Sequence, residues 1–134
     1  MLRNHLRMTA KNLILIACAG AVGTVGRVML SGWINRLGGE KFPWGTLTVN
    51  LLGCLLFGLL FALAEEKHLI TPRLRLILLS GFLGAFTTFS AFGFETMTLI
   101  RNDHWVLAIA NVGVQNVLGI TAVFLGAYLA RQIP

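Results

Sequence analysis

The chain has 134 residues, of which 56% are hydrophobic and only 12% charged. Average soluble domains carry about a quarter charged residues, so this surface cannot keep so small a chain in water. The 15 glycines against 3 prolines exclude a disordered or collagen-like chain, and the chain reads as an integral membrane protein. A formal net charge of +6 raises the question of nucleic acid. Yet Arg3, Arg7, Lys11, Arg36, Lys41, Lys67, Arg73, Arg75, Arg101 and Arg131 flank apolar runs or lie between them, where Lys and Arg meet lipid headgroups. No nucleic-acid partner is expected.

In chain order, a polar and basic stretch over 1–12 precedes the first apolar run, a predicted span over 13–32. Leu15-Ile16-Ala17-Cys18 fits a lipoprotein-processing pattern. Cleavage there would divide a Gly-rich helix, so the run is read as a transmembrane helix with a cytoplasmic N-terminus. Gly38-Gly39 and Pro43 mark a turn within 35–43. The second span is expected over 44–64, closed by Glu65-Glu66-Lys67-His68. Thr71-Pro72-Arg73 resembles a helix start and opens a third span over 74–100, interrupted by Gly81, Gly84 and the Thr87-Thr88 pair. After Arg101-Asn102-Asp103-His104 the fourth span covers 105–130.

Runs of about 20 apolar residues suffice to cross the hydrocarbon layer, and Trp33, Trp44 and Trp105 fall at span ends, as an aromatic belt requires. Cys18 and Cys54 sit inside apolar runs and read as small hydrophobes. The expected fold is therefore all-α: one transmembrane domain over 1–134, with four antiparallel spans, short loops and a break in the third. Arg3, Arg7, Lys11, Lys67, Arg73, Arg75 and Arg131 lie on the side of the termini, against Arg36, Lys41 and Arg101 opposite. That bias places the termini in the cytoplasm.

Polar groups at membrane depth are costly unless paired, so each one is a candidate for function. Gly20, Gly23 and Gly26 form a seam where another backbone can approach. Arg27 follows, to cap carbonyls, pair with a carboxylate or face a wet vestibule. Asn50, a lone amide in the second span, is either a tie between helices or a donor to an anion. In Gly81–Phe92, GFLGAFTTFSAF, glycines and threonines loosen a helix and free carbonyls near mid-membrane, as in channels and transporters. Phe89 and Phe92 share a face there, and the electropositive edges of their rings could line a path for a small anion. Glu95, the only carboxylate within a span, is a vestibule or proton-linked group, or the partner of Arg27. Asn111 and Gln115 share a face of the last helix, with Asn116 beside them, and read as a polar track or as glue between helices.

Gly23 with Arg27, the GTLTVNLLG stretch Gly45–Gly53, and GFLGAFTTFSAF with Glu95 together resemble the Fluc (CrcB-type) fluoride channels, over essentially the whole chain. The resemblance implies a dual-topology dimer of oppositely inserted four-helix subunits, with two fluoride pathways along their interface. It assigns Asn50 as the pore amide and Phe89 and Phe92 as edge-on ligands. Thr87, Thr88 and Ser90 would line or brace the same segment, with Asn111 and Gln115 as the polar track. The carbonyls of Gly84 and Ala85 would hold a structural sodium ion at the dimer centre. The partners implied are fluoride, the lipid bilayer of a bacterial inner membrane and a second copy of the chain.

Departures from the family are the amides of the fourth span, where Tyr and Ser are frequent, and Ala85, where a second glycine is frequent. The charge bias also raises a fixed orientation and pairing with a paralogue. A passive channel needs no ATP site, no Gly-Lys-Ser/Thr phosphate loop is present, and no enzyme activity is expected. Two other readings are a proton-coupled small multidrug exporter, whose first-span carboxylate is absent over 13–32, and a non-transporting assembly subunit.

Overall fold

A computed structural model describes residues 9–39 and 41–133; Arg3 and Arg7, counted above for orientation, lie outside them. Every regular element among the described residues is helical: α1 (Ala10–Gly38), α2 (Trp44–Glu65), α3 (Pro72–Leu76), a π-helical segment (Ile77–Leu83), α4 (Gly84–Phe86), α5 (Phe89–Arg101) and α6 (Trp105–Arg131). Among the described residues four stretches are long and apolar enough to cross a membrane: α1, α2, the third run Pro72–Arg101, and α6. The chain is an all-helical, multi-pass membrane protein.

The second, third and fourth spans lie within two residues of their expected bounds. The first does not. Thr9 caps α1, its Oγ1 accepting from the Asn12 N–H at 3.4 Å, and the helix continues beyond residue 32 to Gly38. No proline occurs between Gly32 and Gly38-Gly39, and only at Gly39 does φ turn positive, to 82°. At 1.5 Å per residue α1 is about 44 Å long, more than a ~30 Å hydrocarbon layer needs, so it tilts or projects from the membrane.

The bundle is built from two pairs of helices that run in the same direction. In one, α2 packs along α6. A Cβ at Gly58 would collide with the Val123 carbonyl and one at Gly126 with the Leu55 carbonyl, so backbone meets backbone. In the other, the Gly20–Gly26 seam of α1 lies against the third span, where a Cβ at Gly23 would strike the Phe82 carbonyl. The seam thus serves packing. Val49, Leu79, Leu83 and Phe86 form the core between the pairs. The α1–α2 turn is fastened by Asn35 Oδ1, which accepts from the Gly45 N–H at 2.7 Å.

At the opposite end Glu65 pairs with Arg75. Glu66 accepts two bonds from Arg131, at 2.7 and 2.8 Å, in the parallel geometry that favours Arg with a carboxylate. The hydrogen bond from Arg131 holds the exposed Glu66 carboxyl below the usual carboxylate range.

Of the interruptions expected in the third span, the break falls at the Thr87-Thr88 pair: Thr87 (φ −81°, ψ 157°) and Thr88 (φ −149°, ψ 112°) are extended, whereas Gly84 and Ala85 are helical. Two β-branched residues in sequence favour extended backbone, and the Thr88 hydroxyl caps the new helix by accepting from the Ala91 N–H at 3.2 Å. The glycines act upstream, in the wide π turn of Ile77–Leu83. After the break, α5 buries only Phe92 and Leu99 and leaves Phe89, Phe94 and Met97 exposed.

Candidate functional site

Asn50 closes the break. Its Oδ1 accepts from the Thr88 N–H at 2.9 Å, while its Nδ2 donates to the Thr88 carbonyl at 3.2 Å and to Gln115 Oε1 at 2.8 Å. A backbone N–H can only donate, so the first bond fixes which end of the Asn50 amide is oxygen. Both hydrogens of Nδ2 are then committed. As a pore donor Asn50 would have to exchange one of these bonds for an anion, and the longer one, to the Thr88 carbonyl, is the weaker candidate to resist.

The same sense continues away from the break. Gln115 Nε2 donates to Asn111 Oδ1 at 3.0 Å, Asn111 Nδ2 to Thr96 Oγ1 at 2.9 Å, and Thr96 Oγ1 to the Phe92 carbonyl at 2.8 Å. Side chains from α2, α6 and α5 thus form one directed chain, from the Thr88 N–H to the Phe92 carbonyl. Fully satisfied polar chains of this kind rigidify an apolar interior.

A groove of about 340 Å³ lies over the break, its wall including Asn50, Gly84, Thr87, Thr88, Phe89, Phe92, Gln115 and Asn116. It gathers most of the residues expected to form an ion path. The Phe89 and Phe92 rings are neighbours, with centroids 5.3 Å apart and planes inclined at 49°. Phe89 is 82% exposed and Phe92 only 9%, so one ring stands out from the protein and the other forms the floor. Ser90 is exposed beside Thr88, their hydroxyls 3.2 Å apart. Asn111 is fully buried, at 0% exposure, and does not line the groove; the structure places it behind Gln115 as a brace. Gln115 Nε2 keeps a second N–H beyond the bond to Asn111, and Asn116, whose Nδ2 donates to the Val112 carbonyl at 2.7 Å, keeps another.

Arg27 and Glu95 do not pair. Arg27 Nε donates to the Ala85 carbonyl at 3.2 Å, fulfilling the capping alternative, and the Glu95 Oε1 accepts from the Thr46 hydroxyl at 2.6 Å. Ala85 was expected to offer a free carbonyl for sodium, and its oxygen is engaged by a guanidinium. Gly84 fits the donor role better. The Thr88 N–H that would bond its carbonyl in a continuous helix is turned to Asn50, and Gly84 is exposed on the groove wall. Glu95 lines a second cavity of about 330 Å³ with Asn35, Lys41 and Thr98, and its buried Oε2 has no hydrogen-bond partner among the described residues.

Thr46 and Thr96 were missed as partners of these groups. Both carried a signal: Thr46 precedes Asn50 by one helical turn and Thr96 follows Phe92 by one, so each shares a face with a residue already singled out.

Residues 14–127 match the family model described as CrcB-like protein, Camphor Resistance (CrcB). The chain belongs to the CrcB family. It is 51% identical over 123 residues to a protein of Nitrosococcus oceani named fluoride-specific ion channel FluC, covering 92% of this chain and 98% of the relative. Proteins of the same name from Solidesulfovibrio magneticus and Maridesulfovibrio salexigens are 46% and 42% identical, over 92% and 90% of this chain and 98% and 95% of theirs. A CrcB-family identity suits the break at Thr87-Thr88 and the groove over it, features that neither a drug exporter nor a passive assembly subunit calls for.

Proposed function

We propose that the chain is a fluoride-specific ion channel that lets cytoplasmic fluoride leave passively across a bacterial inner membrane. One observation carries this reading: Asn50, Thr88, Phe89, Phe92 and Gln115 meet on the wall of a single groove at a broken helix, in a chain so similar to proteins named for that activity. Fluoride is small, strongly hydrated and a strong hydrogen-bond acceptor. A path for it must replace water with donors, here the spare N–H groups of Gln115 and Asn116, the hydroxyls at the break and the ring edges of Phe89 and Phe92. Larger halides fit such a path poorly. Fluoride enters cells as its neutral acid and is trapped at neutral pH, so the membrane potential alone drives the anion out.

The groove is open on the protomer surface, and a second, oppositely inserted copy would close it into a pore. That dimer brings two Gly84 carbonyls toward a shared axis, and we assign them to a structural sodium ion. The Ala85 carbonyl, with a guanidinium beside it, is the poorer ligand. Replacing sodium by a large organic cation is expected to weaken the dimer on size-exclusion chromatography; an unchanged elution profile counts against the ion. The channel itself is tested with purified protein in liposomes and a fluoride electrode. Fast fluoride efflux without chloride efflux is expected. Proton-coupled uptake of organic cations would favour the exporter instead, and the absence of both would favour the assembly subunit.

A further inference from the structure

Thr96 does not line the groove, yet the amide chain from the break ends on it. A hydroxyl that donates to the carbonyl one turn back is common in helices; what sets Thr96 apart is that it also accepts from a fully buried amide on α6. A row of side-chain amides can run in either sense unless its ends are fixed. Here one end is the Thr88 N–H, which can only donate, and the other is reached through Thr96 at the Phe92 carbonyl, which can only accept.

We propose that Thr96 is a positioning residue for the ion path: its hydroxyl holds the sense of the chain Asn111–Gln115–Asn50, and through it the clamp of Asn50 on Thr88. Without that hydroxyl, Asn111 Nδ2 loses the acceptor it has in the structure, at a position of 0% exposure, where an unmet donor is costly. Turning the Asn111 amide over relieves this, but it sets donor against donor at Gln115. Turning Gln115 in response sets its Nε2 against Asn50 Nδ2. The disturbance therefore reaches the break, and with it the groove donors that face an ion. α5 buries few apolar side chains of its own, so polar ties such as Thr96–Asn111 fix its place to an unusual degree.

The effect on flux rests on the fluoride-channel reading, so the test has two readouts on the full-length protein. Fluoride efflux is measured from liposomes, and backbone amide exchange at Thr88 in detergent micelles. Thr96→Val keeps the shape and removes the hydroxyl. It is expected to slow efflux about tenfold and to speed Thr88 exchange about tenfold, with the exchange of Val49 in α2 unchanged. Thr96→Ser restores the hydroxyl and is expected to restore both. Should Thr96→Val fail to insert, Asn111→Leu breaks the same contact from α6 and must produce the same paired change. Wild-type efflux in Thr96→Val overturns the proposal, as does unchanged Thr88 exchange. A wild-type protein that passes no fluoride sinks the channel reading instead, and Thr88 exchange then decides the positioning role alone.

Discussion

Asn50 and Thr88 exchange two hydrogen bonds, a side-chain amide on one helix pairing with the backbone of another as residues do across a sheet. This exchange supplies the broken third span with partners that its own helix no longer gives. Asn50→Asp keeps an acceptor for the Thr88 N–H, but it points oxygen at the Thr88 carbonyl and at Gln115 Oε1 and adds a negative charge to the groove. Fluoride efflux from liposomes is expected to fall at least about tenfold. Efflux at the wild-type rate would exclude Asn50 from the path.

Phe89 and Phe92 separate a role in conduction from a role in stability. Phe89 stands out from the protomer and Phe92 forms the groove floor. Phe92→Ile removes buried carbon and is expected to cost about 1–2 kcal/mol in a denaturant titration. Phe89→Ile removes little that is packed within the chain. Both replace a ring edge by aliphatic hydrogens, and both are expected to lose most fluoride efflux. If only the Phe92 variant lost it, in proportion to its stability, packing rather than ring-edge donation would account for the result.

Four spans, their short turns and the polar residues within them were legible because a bilayer imposes length and apolarity on every helix that crosses it. The end of α1 was not, since Trp33–Leu37 mixes interface and helix-forming residues with no proline before Gly38. The break falls at the Thr87-Thr88 pair, one of the interruptions legible in the sequence, and not at Gly81 or Gly84. Glycine marks freedom, but here the β-branched Thr87-Thr88 pair uses it, and Gly81 and Gly84 accommodate the π turn. Spacing put Asn111 and Gln115 on one face correctly. It could not say that Asn111 faces inward to Thr96 while Gln115 reaches the groove, because that depends on how α5 lies against α6.

The Glu66–Arg131 pair gives a pH dependence with a definite sign. The Glu66 carboxyl is held below its usual range by the Arg131 hydrogen bond. Its contribution is therefore complete above the unfolded carboxylate pKa of about 4.3 and is lost as pH falls through the lower folded value. Both groups are exposed, so the effect is small. Thermal unfolding in detergent is expected to show a shallow loss of stability below about pH 4.3 that Glu66→Gln removes. An unchanged acid limb in that variant would assign the loss to other groups.

The proposed dimer requires the chain to insert both ways, and the lysines and arginines bear on this directly. Lys67, Arg73, Arg75 and Arg131 lie at the end where α2 and α6 finish, Arg36, Lys41 and Arg101 at the other. Two of the first group, Arg75 and Arg131, are paired with Glu65 and Glu66. Acidic residues contribute little to orientation, so those pairs do not cancel the bias, and Arg3, Arg7 and Lys11 add to it. C-terminal reporters active on opposite sides of the membrane are expected to give signals from both, with the cytoplasmic one stronger. Replacing Arg3 and Arg7 by Gln should bring the two signals closer together. A cytoplasmic signal alone in both versions would mean that the chain cannot close its own groove, and that its partner is a second protein of opposite bias.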